Sequence, residues 1–279
     1  MLVNNILTID LEDWKHIHYL NSCDNVPEKI EYNTGLILDL LETYDTKATF
    51  FTVGEIVENY PELIDKIVRK GHEIGFHTFH HTPLWNHEKG KFRDEIKLFK
   101  KLMLEKFQLN VYGFRAPLFS LNEKTSWAID VLQEENFLYD SSIFPIRNLL
   151  YGVPNAPVFP YRINSSNITK NNPSGIIELP LLTYKILGVN LPVAGGIYIR
   201  FLPLYFIVKA IEKINSLGYP AVIYIHPREV DPSPPKLNLP FHKKKMFTFN
   251  TKKTLKKLDK LLDKFSLGTA MDYVKGANI

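Results

Sequence analysis

Residues 47–77 read KATFFTVGEIVENYPELIDKIVRKGHEIGFH. The stretch opens on a β-rich run, KATFFTV, and closes on a second short run, HEIGFH. Between them apolar residues recur at helical spacing, and Gly71 stands where a helix stop is expected. Strand, helix, strand is the unit from which parallel sheets are built.

The alternation continues in both directions. Upstream, NNILTID (Asn4 to Asp10) is an apolar run ending in an acid, and Tyr32 to Tyr44 carries leucines at 36, 38, 40 and 41. Downstream, residues 91–107 form an amphipathic helical pattern. VYGFRAP (111–117) reads as a strand closed by proline, residues 123–137 as a helix and LYDSSIF (138–144) as a strand. GIIELP (175–180), a helix over 204–217, YPAVIYIHP (219–227) and a final basic helix complete the series. The pattern predicts an α/β fold with a parallel sheet. Nothing reads as a flexible linker, so residues 1–279 are taken as one domain. Residues 144–175 lack periodicity and are dense in Pro, Asn and Ser, as an insertion would be.

Composition narrows the classes. The chain is 45% hydrophobic and 23% charged, which is ordinary for a globular protein, and its length needs no disulfide staples. One cysteine, Cys23, excludes an intrachain disulfide and fits a reducing compartment. The apolar stretch at 197–211 is broken by Arg200, Pro203 and Lys209, which favours a core strand and helix over a membrane span. With no basic, apolar leader at the N-terminus, a cytoplasmic location is expected, with association to a membrane-bound biosynthetic complex as its variant. The net charge of +4 is concentrated in residues 241–264. A lysine-rich helix face is most simply a solvated one, and without an aromatic-interleaved basic surface no nucleic-acid partner is expected.

Polar, reactive residues stand where strands end: Asp10, His77, Arg115, Asp140 and His226. In parallel α/β folds the carboxyl ends of the strands form the active face. GHEIGFHTFHH (71–81) holds four of the nine histidines. His77 and His81 are four apart, so a helical turn would point both rings one way, and imidazoles suit zinc, cobalt, nickel or iron. TIDLEDW (8–14) adds Asp10, Glu12 and Asp13 at the first strand's end. Two histidines and one carboxylate leave open positions on a catalytic metal, and a second carboxylate can serve as base. Arg115 in FRAPLFS (114–120) is a fixed cation for a carboxylate. His226 ends an apolar strand and could protonate a leaving group. Each of these alone also fits a helix cap, a structural ion pair or a core histidine.

Taken together, TIDLEDW, HTFHH, RAP and IHP resemble the motif set of the polysaccharide deacetylases, carbohydrate esterase family 4. YDSSIFPIRNLLYGVPNAP (139–157), ELPLLTYKILGVNLPVAGGIYIRFLP (178–203) and HPREVDPSPP (226–235) resemble the subfamily associated with exopolysaccharide and exosortase loci, which carries its own C-terminal extension, here around 227–279. The resemblance runs from about Ile6 to Tyr273.

The resemblance implies a distorted (β/α) barrel of about seven parallel strands. It implies one divalent metal ion, zinc in first place and cobalt or another ion in second. It implies an N-acetylated oligosaccharide or polysaccharide as substrate, with acetate as product. His77 and His81 are then ligands, Asp10 the base, Arg115 its orienting partner and His226 the acid. Leu11 stands where many relatives carry the metal-binding aspartate, so the third ligand is Asp13 or Glu12. Asp13 is ranked first because aspartate is the family's usual ligand. Leu118 stands where an aromatic is common and is a candidate oxyanion donor through its N–H. Tyr198 and Arg200 in GGIYIR are candidates for substrate contact, and Asp140 and Ser141 for sugar contact or support. The competing readings are an allantoinase-like or formamide-type amide hydrolase and a silent carbohydrate-binding protein.

Overall fold

Strand β1 (Asn5–Leu11) is buried along its whole length, as a strand covered on both faces of a parallel sheet must be. The computed structural model describes residues 3–277 apart from 19, 21–25, 149 and 194, so Cys23 lies outside the described residues. The other strands are β2 (Thr49–Thr52), β3 (Glu73–Phe76), β4 (Gly113–Phe114), β5 (Tyr139–Asp140), β6 (Tyr161–Ile163) and β7 (Ile176–Glu178). They are followed by β8 (Thr183–Ile186), β9 (Val189–Pro192), β10 (Val222–Ile225) and β11 (Leu267–Gly268).

The main sheet runs β10-β1-β2-β3-β4-β5-β7-β6, with β11 pairing the start of β1. Every pairing from β10 through β7 is parallel, and only β6 joins antiparallel to β7. The sheet curls into an open barrel, and irregular backbone bridges its edges. Leu182 N–H donates to Val222 O (3.0 Å), and Gly195 bridges Tyr224. A Cβ on Gly195 would meet Tyr224 O at 1.5 Å, so only glycine allows this approach. The α/β half-barrel agrees with the expected fold class.

Helices cover the outer face. The helix Lys89–Phe107 buries Phe92, Ile96, Phe99 and Met103, a single stripe at helical spacing. The helix Ile30–Thr43 buries Ile30, Ile37, Leu38 and Leu41. Phe50, Phe51, Phe76 and Phe114 of the sheet are fully buried, Phe76 and Phe114 against Phe99 and Phe92 of the helix Lys89–Phe107, each contributing roughly 1.5–3 kcal/mol of transfer free energy.

Several elements depart from expectation. The helical pattern at 54–71 is two helices, Gly54–Asn59 and Pro61–Arg69. Pro61 has no N–H and holds Tyr60 at φ −132, ψ 54, outside the helical region. Residues 197–211 contain no strand. Helices Ile197–Phe201 and Leu204–Asn215 meet at Pro203. The basic segment is likewise two helices, Phe241–Thr248 and Thr251–Lys264, parted by Asn250 in a left-handed conformation. Residues 144–175 supply β6. No helix among the described residues is long and apolar enough to cross a membrane.

Candidate active site

Asp10 is the penultimate residue of β1 and Asp140 the last of β5, while His77, Arg115 and His226 directly follow β3, β4 and β10. Parallel pairing brings these carboxyl ends to one rim. There a cleft of about 440 Å³ is lined by Asp10, Glu12, His77, His81 and His226, with Leu118 and Tyr198 on its wall.

Arg115 is fully buried beneath Asp10. Its Nη1 donates to Asp10 Oδ1 (2.7 Å) and Thr8 Oγ1 (2.7 Å). Its Nε donates to Ser141 O (2.8 Å) and its Nη2 to Ser141 Oγ (2.7 Å). The guanidinium also lies 4.4 Å from the centre of the Phe51 ring. These bonds fix Asp10 with Oδ2 facing His226 Nε2 at 3.8 Å. Ser141 and Asp140 are fully buried, so neither meets a sugar. Ser141 clamps Arg115. Asp140 accepts from Ser142 Oγ (2.5 Å), whose oxygen in turn accepts from Ala116 N–H (2.8 Å). Burial first, and then the neighbouring Asp140, hold the Glu178 carboxyl well above its ordinary range.

The histidine pair is not on a helical turn. Thr78 and His81 both have positive φ (56° and 55°), and this bent loop brings the two rings to 5.2 Å between centres. His77 Nδ1 lies 2.7 Å from Arg115 O, which takes its proton and leaves the Nε2 lone pair available. Burial pushes the His77 pKa down to about 4, so the ring is neutral, as a ligand must be. His80 points outward to Glu55, and His72 accepts from Ala48 N–H at the far end of β3.

The two acids that follow β1 differ. Asp13 accepts from the backbone N–H groups of Trp14 (2.7 Å), Lys29 (2.7 Å) and Ile30 (3.1 Å). It thereby caps its own short turn and the helix Ile30–Thr43, whose N-cap residue Lys29 provides no side-chain cap. Glu12 instead meets His81 Nε2 through Oε2 (2.7 Å) and His226 Nε2 through Oε1 (2.9 Å). Arg228 Nη1 donates to the same Oε1 (2.5 Å). Burial would raise the Glu12 pKa, but Arg228, His81 and His226 outweigh it and hold the carboxyl well below its ordinary range.

Behind His226 stands Glu229, with Oε2 3.4 Å from Nδ1, and behind Glu229 stands Arg200, with Nε 3.5 Å from Oε1. Arg200 is buried and also donates to Phe249 O (3.1 Å), so it supports Glu229 while bordering the cleft. Tyr198 and Tyr151 share a hydroxyl contact of 2.8 Å. Leu118 has a left-handed backbone (φ 55°), and its turn is closed by Phe119 N–H to Ala116 O and Ser120 N–H to Pro117 O. The sequence reading missed Arg228 and Glu229, which stand two and three residues after His226 in HPRE and could have been found there.

Among the described residues, no three His, Cys, Asp or Glu side chains surround one point as metal ligands would. The donor set is nevertheless suited to a divalent ion. Glu12 Oε2 is buried without a hydrogen bond of acceptable geometry, His81 Nε2 lies 2.7 Å from it, and the His77 ring stands 5.2 Å from that of His81. His77, His81 and Glu12 would hold the ion.

The polysaccharide deacetylase family matches residues 21–135, and a domain of unknown function (DUF3473) matches residues 141–275. The peptidoglycan-N-acetylglucosamine deacetylase of Bacillus cereus is 38% identical over 84 residues, which are 30% of this chain and 39% of that protein. This chain therefore matches well under two thirds of that relative's length. A Mycobacterium smegmatis protein assigned as a polysaccharide deacetylase superposes with a TM-score of 0.62 at 16% identity, covering 99% of this chain and 94% of that one. Puue allantoinase superposes with a TM-score of 0.59 at 14% identity, covering 98% and 88%. Likeness at such identities speaks to the fold alone. Residues 21–135 are thus similar to the polysaccharide deacetylase family, and the curated relative is similar over part of its length.

Proposed function

We propose that the chain is a metal-dependent N-deacetylase. It removes acetyl groups from hexosamine units of a polysaccharide or its lipid-linked precursor. The observation that carries this reading is the meeting of Asp10, Glu12, His77, His81 and His226 in one cleft, with Arg115 locked behind Asp10. A divalent ion on His77, His81 and Glu12 would supply Lewis-acid polarisation of the acetyl carbonyl.

The chain's own residues perform the rest. Asp10, its rotamer fixed by Arg115, accepts the proton of the attacking water through Oδ2. The Leu118 N–H donates to the developing oxyanion. His226 gives its Nε2 proton to the departing amine. Burial and Arg228 oppose charge on His226, yet Glu229 and Glu12 outweigh them and raise its pKa to about 9, so the acid form is populated at neutral pH. Tyr198 on the wall is a candidate sugar contact, whereas Arg200 acts through Glu229.

His226, Arg228, Glu229 and Arg200 lie in the segment matched by the domain of unknown function, and Asp10 and Glu12 lie before the deacetylase match. One catalytic unit over residues 1–279 accounts for that distribution. The narrower subfamily reading, with a role in exopolysaccharide synthesis, rests on the motifs at 139–157, 178–203 and 226–235. The allantoinase-like alternative draws on the fold likeness. The deciding experiment is metal analysis of wild type and His77→Ala, run beside acetate release from chitooligosaccharides with added zinc or cobalt. One metal per chain, lost in the variant, with acetate released, supports the deacetylase. Absence of metal under every loading condition refutes it.

A further inference from the structure

The hairpin β8–β9 stands apart from the main sheet as a two-stranded sheet of its own. Its turn is Leu187-Gly188, both at positive φ (48° and 83°). Turns of this hand favour Asn-Gly, because asparagine's short polar side chain bonds locally where leucine cannot. Yet Leu187 occupies the position and is 98% exposed. A strained leucine is thus held fully in water at the tip of a projection.

The rest of the hairpin is built to match. Tyr184 pairs with Leu191, and Ile186 with Val189, and strand alternation puts all four on one face. Ile186, Val189 and Leu191 are exposed as well. Lys185 and Asn190 pair on the opposite face, where Asn190 Nδ2 donates to Pro145 O (2.9 Å) and anchors the hairpin. Tyr184 and the helix Leu204–Asn215 pack on the same hydrophobic core. The helix exposes Tyr205 and Phe206, and Lys209 Nζ lies 5.8 Å from the centre of the Tyr205 ring while donating to Glu212 Oε2 (2.9 Å).

We propose that this hairpin docks the protein on an anionic lipid surface. Leu187, Ile186 and Val189 enter the acyl boundary, and Lys185 meets the headgroups. Interface cores between proteins are depleted in lysine, whereas lysines flanking a projecting apolar tip suit anionic headgroups. Aromatic residues with one polar end favour the same boundary. After β9, Gly195 bridges Tyr224 in the cleft wall. Docking therefore brings the cleft to saccharides held at the bilayer. The docking surface stands whatever reaction the cleft performs.

The test is co-sedimentation of the full chain with vesicles of phosphatidylcholine alone and of an equal mixture with phosphatidylglycerol. Wild type is expected to pellet with the mixed vesicles. Leu187→Asn is expected to lower partition about tenfold, the transfer worth of one leucine. It should also raise Tm, because asparagine suits the turn. Lys185→Glu should weaken binding to the mixed vesicles while leaving Tm unchanged. No pelleting of wild type overturns the proposal, and so does partition of Leu187→Asn equal to wild type. Leu187-dependent dimerisation in light scattering without vesicle binding also overturns it, and assigns the face to a second copy of the chain.

Discussion

Glu12 Oε1 lies 2.9 Å from His226 Nε2, joining an acid just after the first strand to a histidine just after β10. The contact is buried and shared with Arg228. Its electrostatics give a signed expectation. Burial and Arg228 lower the His226 pKa, Glu229 and Glu12 raise it further, and the result is about 9 in the folded chain. An unfolded histidine titrates near about 6.5. The stabilisation is therefore fully present below about pH 6.5 and is lost as pH rises through about 9, on the order of 3 kcal/mol in all. In metal-free protein the His226 ring resonances should titrate near pH 9, and Glu12→Gln should bring that midpoint back toward the ordinary range. An unchanged midpoint in Glu12→Gln would refute the pairing.

The acid side follows from different histidines. Burial holds both His72 and His77 at about 4, well under their unfolded value. The unfolded chain binds these protons first, so stability is intact above about pH 6.5 and declines as pH falls toward 4. Thermal unfolding should give a falling Tm across that window. His72→Asn, placed far from the cleft, should flatten part of the slope without touching turnover. A slope identical to wild type would remove His72 from the account.

Arg115 carries the geometry of Asp10. Replacing it with Met leaves a buried carboxylate without its cation, a loss of roughly 3–5 kcal/mol in comparable cases. Arg115→Lys keeps the charge but cannot reach Asp10, Thr8 and the two Ser141 oxygens together. Turnover in Arg115→Lys should fall at least about a hundredfold with KM nearly unchanged, because substrate does not touch the arginine. A KM effect without a kcat effect would place Arg115 in substrate binding instead.

The strand-end pattern was legible because parallel strands demand unbroken apolar runs, so Asp10, Arg115 and His226 stand out where those runs stop. Other features were not. β4 and β5 lie inside the strands read at 111–117 and 138–144, but their extent of two residues each is set by where their neighbours complete the ladder, not by a period in the sequence. The β8–β9 hairpin carries Leu-Gly where a hairpin signal would be Asn-Gly. The shape of the His77–His81 loop depends on left-handed residues at Thr78 and His81, which the sequence gives no reason to expect. The choice between Glu12 and Asp13 hinged on a helix start at Ile30, distant in sequence, whose unpaired amides claim the Asp13 carboxylate.

That choice has a direct test. Asp13 spends its carboxylate on three backbone amides, so Asp13→Ala should cost about 1–2 kcal/mol of stability, as lost caps do. Its metal content should stay near wild type once folded. Glu12→Gln removes the charge that faces His81 and His226 without vacating the volume. Its Tm should change little beyond the His226 contribution, while zinc affinity, measured by competition with a chromogenic chelator, should fall by at least about tenfold, the lower end for lost outer-shell support. Both variants can be read without any substrate. If Asp13→Ala lost the metal and Glu12→Gln kept it, the capping bonds would have to break on metal binding, and Asp13 would be the ligand after all.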